Sequence, residues 1–360
     1  MTSHERFQRM YEHREADRVP VLDSPWSQTI DRWVEEGMPT RDYVGYFDLD
    51  RVATITTDNS PRYPQQILEE TDDYVIVKTA WGVTHKTWKK HGSTPEFLDF
   101  TITDAEKWLD AKKRMTFDPS RVNWDYLKQN YPIWKRDGYW ISAQMWFGFD
   151  VTHSWMVGTE RFLIALIEDP DWCRDMYETH MKLDMQLLDA VWDAGYHFDE
   201  VFWYDDMGYK NNQFFSVKTY REMDKPYHKA AADWAHEKGA KVRMHSCGDV
   251  NPFVPELIEI GVDVLHPIQK YTMDEREVAQ KYGKDLCIWA GFDVQRIIPY
   301  GTPEDVRREV RFLLDTYAQP EGRLILAAGN NMTPDTPMES LEALLDEALR
   351  YGEEVCKRFH

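Results

Sequence analysis

Short apolar runs alternate with amphipathic stretches along most of this 360-residue chain, and no other feature restricts its fold as strongly. The runs have the length and the β-branched and aromatic content of strands, whereas the stretches between them repeat with helical spacing. About eight strands, most of them followed by a helix, predict parallel crossovers and favour a closed TIM (β/α)8 barrel over an open doubly wound sheet. The predicted strands lie at 17–23, 50–58, 139–146, 200–204, within 241–250, and at 262–266, 286–291 and 324–328. The predicted helices lie at 3–12 (opened by a Ser3 cap), 27–36, 104–113, 158–168, 171–194, 216–238, 252–260, 274–282, 302–317 and 338–359.

Residues 61–115 interrupt this rhythm after the second strand. Two runs at 74–79 and 83–88 alternate with period two about Trp81-Gly82, which predicts a β-hairpin inserted beside the main sheet. The chain contains no low-complexity linker, so we expect one domain over 1–360. No Gly-x-Gly-x-x-Gly follows a strand, which removes the main support for a dinucleotide-binding fold.

Charge and composition narrow the classes of partner. The chain carries 63 acidic and 43 basic residues, a net charge of −20, and this argues against nucleic acid as a partner. No apolar run approaches the roughly 18 residues of a membrane span. Four scattered cysteines lack a disulfide-framework spacing, so we expect reduced thiols in a cytoplasmic protein.

Polar and aromatic residues recur where the predicted strands end. In a barrel these ends meet at one mouth, where catalytic groups belong. Asp and Asn at such ends can also simply cap the next helix, and this alternative stays open for each of them. Trp, His and Cys are poor turn residues, so the set as a whole indicates a site. Its members are Asp23, Trp26, Asp58, Asn59, Gln144, Trp146, Asp205, Asp206, His245, Cys247, His266, Gln269, Asp293, Gln295, Asn330 and Asn331.

The most specific of these ends reads His245-Ser246-Cys247-Gly248. Residues at i and i+2 of an extended segment point to the same side, so the imidazole and the thiol can share a ligand. Both side chains bind zinc well. The stretch therefore predicts a metal site at the tip of the fifth strand.

The order and spacing of several short motifs resemble the uroporphyrinogen decarboxylase superfamily over nearly the whole length, and especially its methyltransferase branch. The motifs lie at 17–21, 72–74, 81–83, 205–208, 245–248, 257–263, 291–295, 300–306 and 335–337. The resemblance implies a TIM-like barrel and suggests a homodimer. The decarboxylase branch carries an N-terminal Gln-Ala-Gly-Arg-Tyr stretch whose arginines hold porphyrinogen carboxylates. Here the stretch 23–28 reads Asp-Ser-Pro-Trp-Ser-Gln, without an arginine pair, which argues against porphyrinogen as the substrate.

The methyltransferase branch implies transfer of a methyl group from a small substrate to a corrinoid protein that docks over the barrel mouth. Its His-x-Cys pair binds zinc together with a later cysteine. The corresponding stretch 327–332 contains no cysteine, so Asp205, Asp206 or Asn330 would have to complete the site. In the alternative, zinc is lost, and His245 and Cys247 bind substrate or pack in the core.

We assign provisional roles on this basis. Asp205, Asp206 and His266 are predicted to be catalytic, and only one of the adjacent aspartates should face the barrel interior. The aromatic rings suit a flat, weakly polar substrate such as a methoxylated aromatic compound, or a methylated cation. Two other functions stay open: a metal-free decarboxylase of a smaller acid, in which Asp58 or Asp205 stabilises a protonated intermediate, and a non-catalytic binding relative. The predicted substrate-binding residues are Trp26, Asp58, Gln144, Trp146, Tyr204, Asn330 and Asn331.

Overall fold

Parallel strands surrounded by helices form the body of the protein. The computed structural model describes residues 1–12, 14, 16–89, 94–318 and 323–358. Within these residues the strands are β1 (Val52–Ile55), β2 (Gln66–Glu70), β3 (Tyr74–Lys78), β4 (Val83–Trp88), β5 (Glu96–Phe100), β6 (Trp140–Met145), β7 (Glu200–Tyr204), β8 (Gly208–Tyr209), β9 (Asn212–Gln213), β10 (Lys241–His245), β11 (Val264–Ile268), β12 (Cys287–Phe292) and β13 (Leu324–Ala328).

The helices of the described residues mostly follow these strands. They are α1 (Ser3–Tyr11), α2 (Ser27–Glu35), α3 (Tyr43–Tyr46), α4 (Ala105–Arg114), α5 (Trp124–Arg136), α6 (Phe149–Thr152), α7 (Thr159–Glu168), α8 (Pro170–Asp193), α9 (Val217–Met223), α10 (Lys225–Glu237), α11 (Val254–Glu259), α12 (Glu275–Tyr282), α13 (Ile297–Tyr300), α14 (Pro303–Tyr317) and α15 (Met338–Lys357). None of them combines the length and the apolar content that crossing a membrane requires. No disulfide joins the four cysteines, all of which lie in described segments.

The main sheet is a parallel barrel. Its strand order is β1-β6-β7-β10-β11-β12-β13. The stretch 20–22 lies between the two edges, because Leu326 donates to Pro20 O (2.9 Å) and Asp50 donates to Val21 O (3.0 Å). The predicted β/α barrel is thus confirmed, although the first strand, predicted at 17–23, shortens to a single parallel bridge between Val21 and Leu326. Pro20 shortens it, because proline has no N–H for a longer ladder.

A buried carboxylate holds this seam at the amino-terminal end of the barrel. Asp50 is 3% exposed and pairs with the guanidinium groups of Arg6 and Arg18, the latter at 2.6 Å. It also accepts the Val21 N–H at 2.9 Å. Asp50 therefore connects α1, the short first strand and the approach to β1.

The inserted sheet is larger than the predicted hairpin. β3 and β4 form that hairpin, and β2 and β5 flank it in a four-stranded antiparallel sheet. Sequence analysis does not detect the outer strand β2, because every one of its residues is exposed and no apolar alternation marks it. The rings of His85 and Phe97 contact Trp155 at 6.3 and 5.7 Å, which attaches the insertion to the turn after β6.

Several helices differ from their predicted limits. The helix predicted at 216–238 is broken at Asp224 into α9 and α10, because Pro226 cannot continue the hydrogen bonding of α9. Helix α5 was not predicted; it contains Pro132. The first helix is capped by Thr2 in a capping box with Glu5 and not by Ser3. The last predicted residue of the closing helix, 359, lies outside the described residues.

We predict that Asp50→Ala destabilises the protein by about 3–5 kcal/mol, because it leaves the buried Arg6 and Arg18 charges undercompensated. Urea unfolding measures the loss. The control is Asp31→Ala, which removes an exposed ion pair with Arg41 and should cost at most about 1 kcal/mol. Equal effects of the two substitutions would contradict a special role of Asp50 at the seam.

Candidate functional site

The loops after β7 and β10 interlock at the carboxyl-terminal end of the barrel. Tyr204 pairs in register with His245, so the two loops begin side by side. The Cys247 N–H donates to Asp206 Oδ1 at 2.6 Å, and the Met207 N–H donates to Ser246 Oγ at 3.0 Å. These bonds orient Asp206 and Cys247 towards each other.

Gly248 makes this close approach of the loops feasible. Its φ is +83°, and a Cβ at this position would lie 2.3 Å from the carbonyl carbon of Gly208 and 2.4 Å from the nitrogen of Tyr209. Its N–H donates to Gln269 Oε1 at 2.6 Å. Glycine is therefore required here for both conformation and space.

A chain of hydrogen bonds determines the tautomer of His245. His266 Nε2 lies 3.1 Å from the carbonyl oxygen of Ala328, which can only accept, so Nε2 of His266 carries the proton. Nδ1 of the neutral His266 then accepts from Nδ1 of His245 at 2.7 Å. Nε2 of His245 consequently keeps a lone pair, which is the state that a metal ligand needs.

That lone pair faces a thiol and a carboxylate. His245 Nε2 lies 3.2 Å from Cys247 Sγ and 3.5 Å from Asp206 Oδ1. Within the described segments, these three residues are the one group of His, Cys, Asp and Glu side chains whose ligand atoms all lie within 4.8 Å of one another. Ligand atoms of a tetrahedral zinc are roughly 3.3–3.8 Å apart at ordinary bond lengths, so the N, S and O donors fit zinc and leave one position open.

Burial disfavours the charged form of each donor. It lowers the pKa of His245 to about 3, with a further contribution from Arg243, and raises the pKa of Asp206 to about 6. Burial, together with the carboxylates of Asp206 and Asp150, raises the pKa of the Cys247 thiol well above its ordinary value. A bound cation would favour the thiolate and the carboxylate, so binding should release protons.

Inside the barrel, below this group, the positive charge of Arg243 is already paired with Glu200. Arg243 Nε donates to Glu200 Oε1 at 2.7 Å, and its guanidinium lies over the rings of Phe202 and Trp289 at 3.9 and 4.3 Å. Glu200 also accepts from Ser142 Oγ at 2.9 Å. This arginine is consequently paired and forms a floor beneath the histidines.

Aromatic rings form one wall of the mouth. Tyr204 contacts the His245 ring at 4.9 Å and the Trp146 ring at 5.7 Å. Trp146 is held by its backbone, whose N–H donates to Asp184 Oδ2 at 2.8 Å and whose carbonyl accepts from Asn59 at 2.7 Å. Of the three predicted aromatic residues, Tyr204 thus lies beside His245 and Trp146 lies beside Tyr204.

Of the two adjacent aspartates, only Asp206 joins the group. Asp205 points away from the barrel interior, where its Oδ2 lies 2.8 Å from Nε2 of His228, and both side chains are fully buried. The expected alternation of faces is therefore observed. Asp205, which was predicted to be catalytic, is thus separated from the His245 group that Asp206 joins.

The other predicted residues lie at varying distances from the group. Asn330 reaches it, with Nδ2 at 3.8 Å from Cys247 Sγ, and its Oδ1 accepts the Asn331 N–H at 2.7 Å. Gln144 is buried on β6, and Trp26 is half-buried before α2, where its N–H donates to Met332 O. Asp58 is paired with Arg62 at 2.6 Å, and its side chain is 42% exposed.

Sequence analysis did not select Asp150. This residue follows the turn after β6, and its Oδ1 accepts from Ser154 Oγ at 3.1 Å. Burial, followed by the nearby Asp206 and Asp205 carboxylates, raises its pKa well above the ordinary value. Its position after a strand end is a signal that could have identified it.

We predict that Gly248→Ala destabilises the protein more than Gly239→Ala. Both glycines have positive φ, +83° and +76°, but no atom lies within 4 Å of a Cβ at Gly239. The control should cost about 1–2 kcal/mol for backbone strain alone, and the clash at 248 should add about 1–3 kcal/mol. Thermal unfolding of the two variants gives the difference, and equal losses would mean that the loops separate without penalty.

Comparisons with known proteins agree with this architecture. The chain is 28% identical over 136 residues to methylated-thiol–coenzyme M methyltransferase of Methanosarcina mazei, and the alignment covers 37% of this chain and 33% of that protein. The chain thus spans about a third of the length of this curated relative. A solved methyltransferase from Methanosarcina mazei shares the fold, with a TM-score of 0.67, 15% identity, and coverage of 98% of this chain and 99% of its own. The family model for uroporphyrinogen decarboxylase (URO-D) matches residues 151–351, more than half of the chain, so the protein belongs to the uroporphyrinogen decarboxylase family.

Proposed function

We propose that this protein is a methyltransferase that moves a methyl group from a small methylated substrate to a corrinoid protein. The observation that carries the proposal is the lone pair of His245 Nε2, facing Cys247 Sγ at 3.2 Å and Asp206 Oδ1 at 3.5 Å. This donor set suits zinc with one open position. The similarity to two methyltransferases points to the same chemistry.

In this proposal His245, Cys247 and Asp206 hold zinc, and Asp206 replaces the cysteine that the resemblance leads one to expect near 327–332. Zinc would supply Lewis acidity that polarises the heteroatom carrying the methyl group. His266 keeps Nε2 of His245 unprotonated through its own bond to Ala328. Asn330 lies against the thiol and limits the space around it.

The lining of the mouth suggests the class of substrate. Trp146 and Tyr204 offer an aromatic wall, and Asp150 and Asp206 place acidic groups beside it. An anionic substrate would add charge beside groups whose negative forms are already disfavoured by burial, whereas a neutral ring can stack on the wall. We therefore propose a methoxylated aromatic compound as the methyl donor.

The atoms and electrons of the proposed methyl transfer balance. The ether oxygen keeps the electron pair of its bond to the methyl carbon and takes one proton, which yields a phenol. The reduced corrinoid acceptor supplies the electron pair of the new bond to that carbon. The acceptor protein would dock over the mouth, where Asn330 and Asn331 are exposed.

The decarboxylase alternative has less support in the geometry. It needs Asp58 or Asp205 to face a substrate, but Asp58 is paired with Arg62 and Asp205 lies 2.8 Å from His228 behind the barrel wall.

We expect protein purified without chelator to contain about one zinc per chain. His245→Ala and Cys247→Ser should each lower the zinc content at least tenfold, because each removes one of three ligands. Elemental analysis measures this, with Cys356→Ser on α15 as the matched control that keeps its zinc. A wild-type protein without metal but with full activity would exclude the zinc site.

We expect the protein to methylate reduced cobalamin with 2-methoxyphenol as the donor, releasing catechol. The change in cobalamin absorbance follows the reaction, and chromatography identifies the phenol. The matching 2-methoxybenzoate should react at least tenfold more slowly, because its carboxylate would add negative charge to a site in which burial already disfavours it. Release of carbon dioxide without cobalamin would favour the decarboxylase, and tight binding without turnover would favour the non-catalytic relative.

A further inference from the structure

The pair of fully buried side chains behind the barrel wall, Asp205 and His228, connects to the mouth through one hydrogen bond. The backbone N–H of Asp150 donates to Asp205 Oδ1 at 2.7 Å. The other oxygen of Asp205 lies 2.8 Å from His228 Nε2, and His228 Nδ1 lies 3.1 Å from the hydroxyl of Tyr220. The side chains of Asp205, His228 and Tyr220 are fully buried.

The turn before Asp150 is built around the same carboxylate. Gly148 has φ +97°, and a Cβ there would lie 2.7 Å from Asp205 Oδ2. The rings of Phe147 and Trp203 each contact the His228 ring at 5.7 Å and enclose it. The loop after β6 thus closes directly on the end of β7, and Asp205 is the group that joins them.

Asp150 itself lies in α6, which follows the carboxyl-terminal end of β6. Its side chain is 20% exposed, and one oxygen accepts from Ser154 Oγ at 3.1 Å. It is close enough to contribute to the raised pKa values of the Cys247 thiol and the Tyr204 hydroxyl. Asp150 therefore lies on the same side of the barrel as the His245 group and the aromatic wall.

We propose that Asp150 is a further substrate-contacting residue of this site, and that Asp205, which accepts the Asp150 N–H and lies 2.8 Å from His228, is its positioning residue. The inference rests on the proposed function, since it gives Asp150 the polar end of the methyl donor to contact. The two adjacent aspartates then have different roles. Asp206 points inward and accepts a hydrogen bond from the Cys247 loop, whereas Asp205 points outward and accepts one from the Asp150 loop.

The test combines kinetics with hydrogen exchange. With 2-methoxyphenol and reduced cobalamin, Asp150→Asn should lower kcat/KM about tenfold or more and leave the zinc content unchanged. Asp205→Ala should produce a similar loss in the wild-type background and little further loss in the Asp150→Asn background, because it acts through Asp150. Asp205→Asn, whose amide oxygen can still accept the Asp150 N–H, should recover most of the activity.

Hydrogen exchange tests the positioning without a substrate. Asp205→Ala should speed amide exchange in a peptide covering 147–156, and Asp205→Asn should not. The matched control is Asp263→Asn, which alters another Asp–His pair (2.9 Å to His236) at the opposite end of the barrel and should change neither kinetics nor exchange in 147–156.

Three results would overturn the inference: unchanged kcat/KM in Asp150→Asn, loss of zinc from that variant, or unchanged exchange in Asp205→Ala. A separate outcome concerns the proposed function alone. If no methoxylated compound is turned over but exchange in 147–156 still responds to Asp205→Ala, methyl transfer from such compounds is excluded and the positioning by Asp205 stands.

Discussion

The parallel pairing of β7 with β10 is the constraint on which the candidate site depends. It sets Tyr204 opposite His245, so the two following loops must share the same space. They do so because Gly208 and Gly248 have no side chains at the point of contact and because Ser246 and Asp206 satisfy the backbone amides of the opposite loop. The close approach leaves a thiol, an imidazole and a carboxylate facing one another.

The electrostatics of the mouth follow from its burial. Desolvation keeps the imidazoles neutral and the thiol protonated, and the nearby carboxylates disfavour additional negative charge. The guanidinium beneath them cannot compensate this group, because Glu200 already neutralises Arg243. A divalent cation would offset the negative charge of this group, since it stabilises the thiolate and the carboxylate together. The same reasoning explains why we expect a neutral donor in place of the polyanionic porphyrinogen.

Nine of the predicted site residues separate into two groups once the strands are placed in space. His245, Cys247, His266, Asp206, Tyr204, Trp146 and Asn330 converge, whereas Asp58 and Asp205 are engaged elsewhere. Asp58 lies at a strand end, but Arg62 four residues later captures its carboxylate. Asp150, which adds a further carboxyl group near Asp206, lies two residues after Gly148, in a stretch that sequence analysis treats as a turn.

The sequence by itself determined the β/α alternation, the barrel, the inserted hairpin and the position of His245 and Cys247 on the fifth strand, because local periodicity and i, i+2 geometry are encoded in neighbouring residues. Sequence analysis missed strand β2, because all of its residues are exposed, and it missed the break at Asp224 before Pro226. It also missed how short the first strand is, because that strand forms only where the barrel closes. Only the tertiary structure decided which of Asp205 and Asp206 faces the interior. It also decided the tautomer of His245, because the carbonyl of Ala328 that determines it lies 83 positions further along the chain. Contacts between residues so distant in sequence exist only once the barrel has closed.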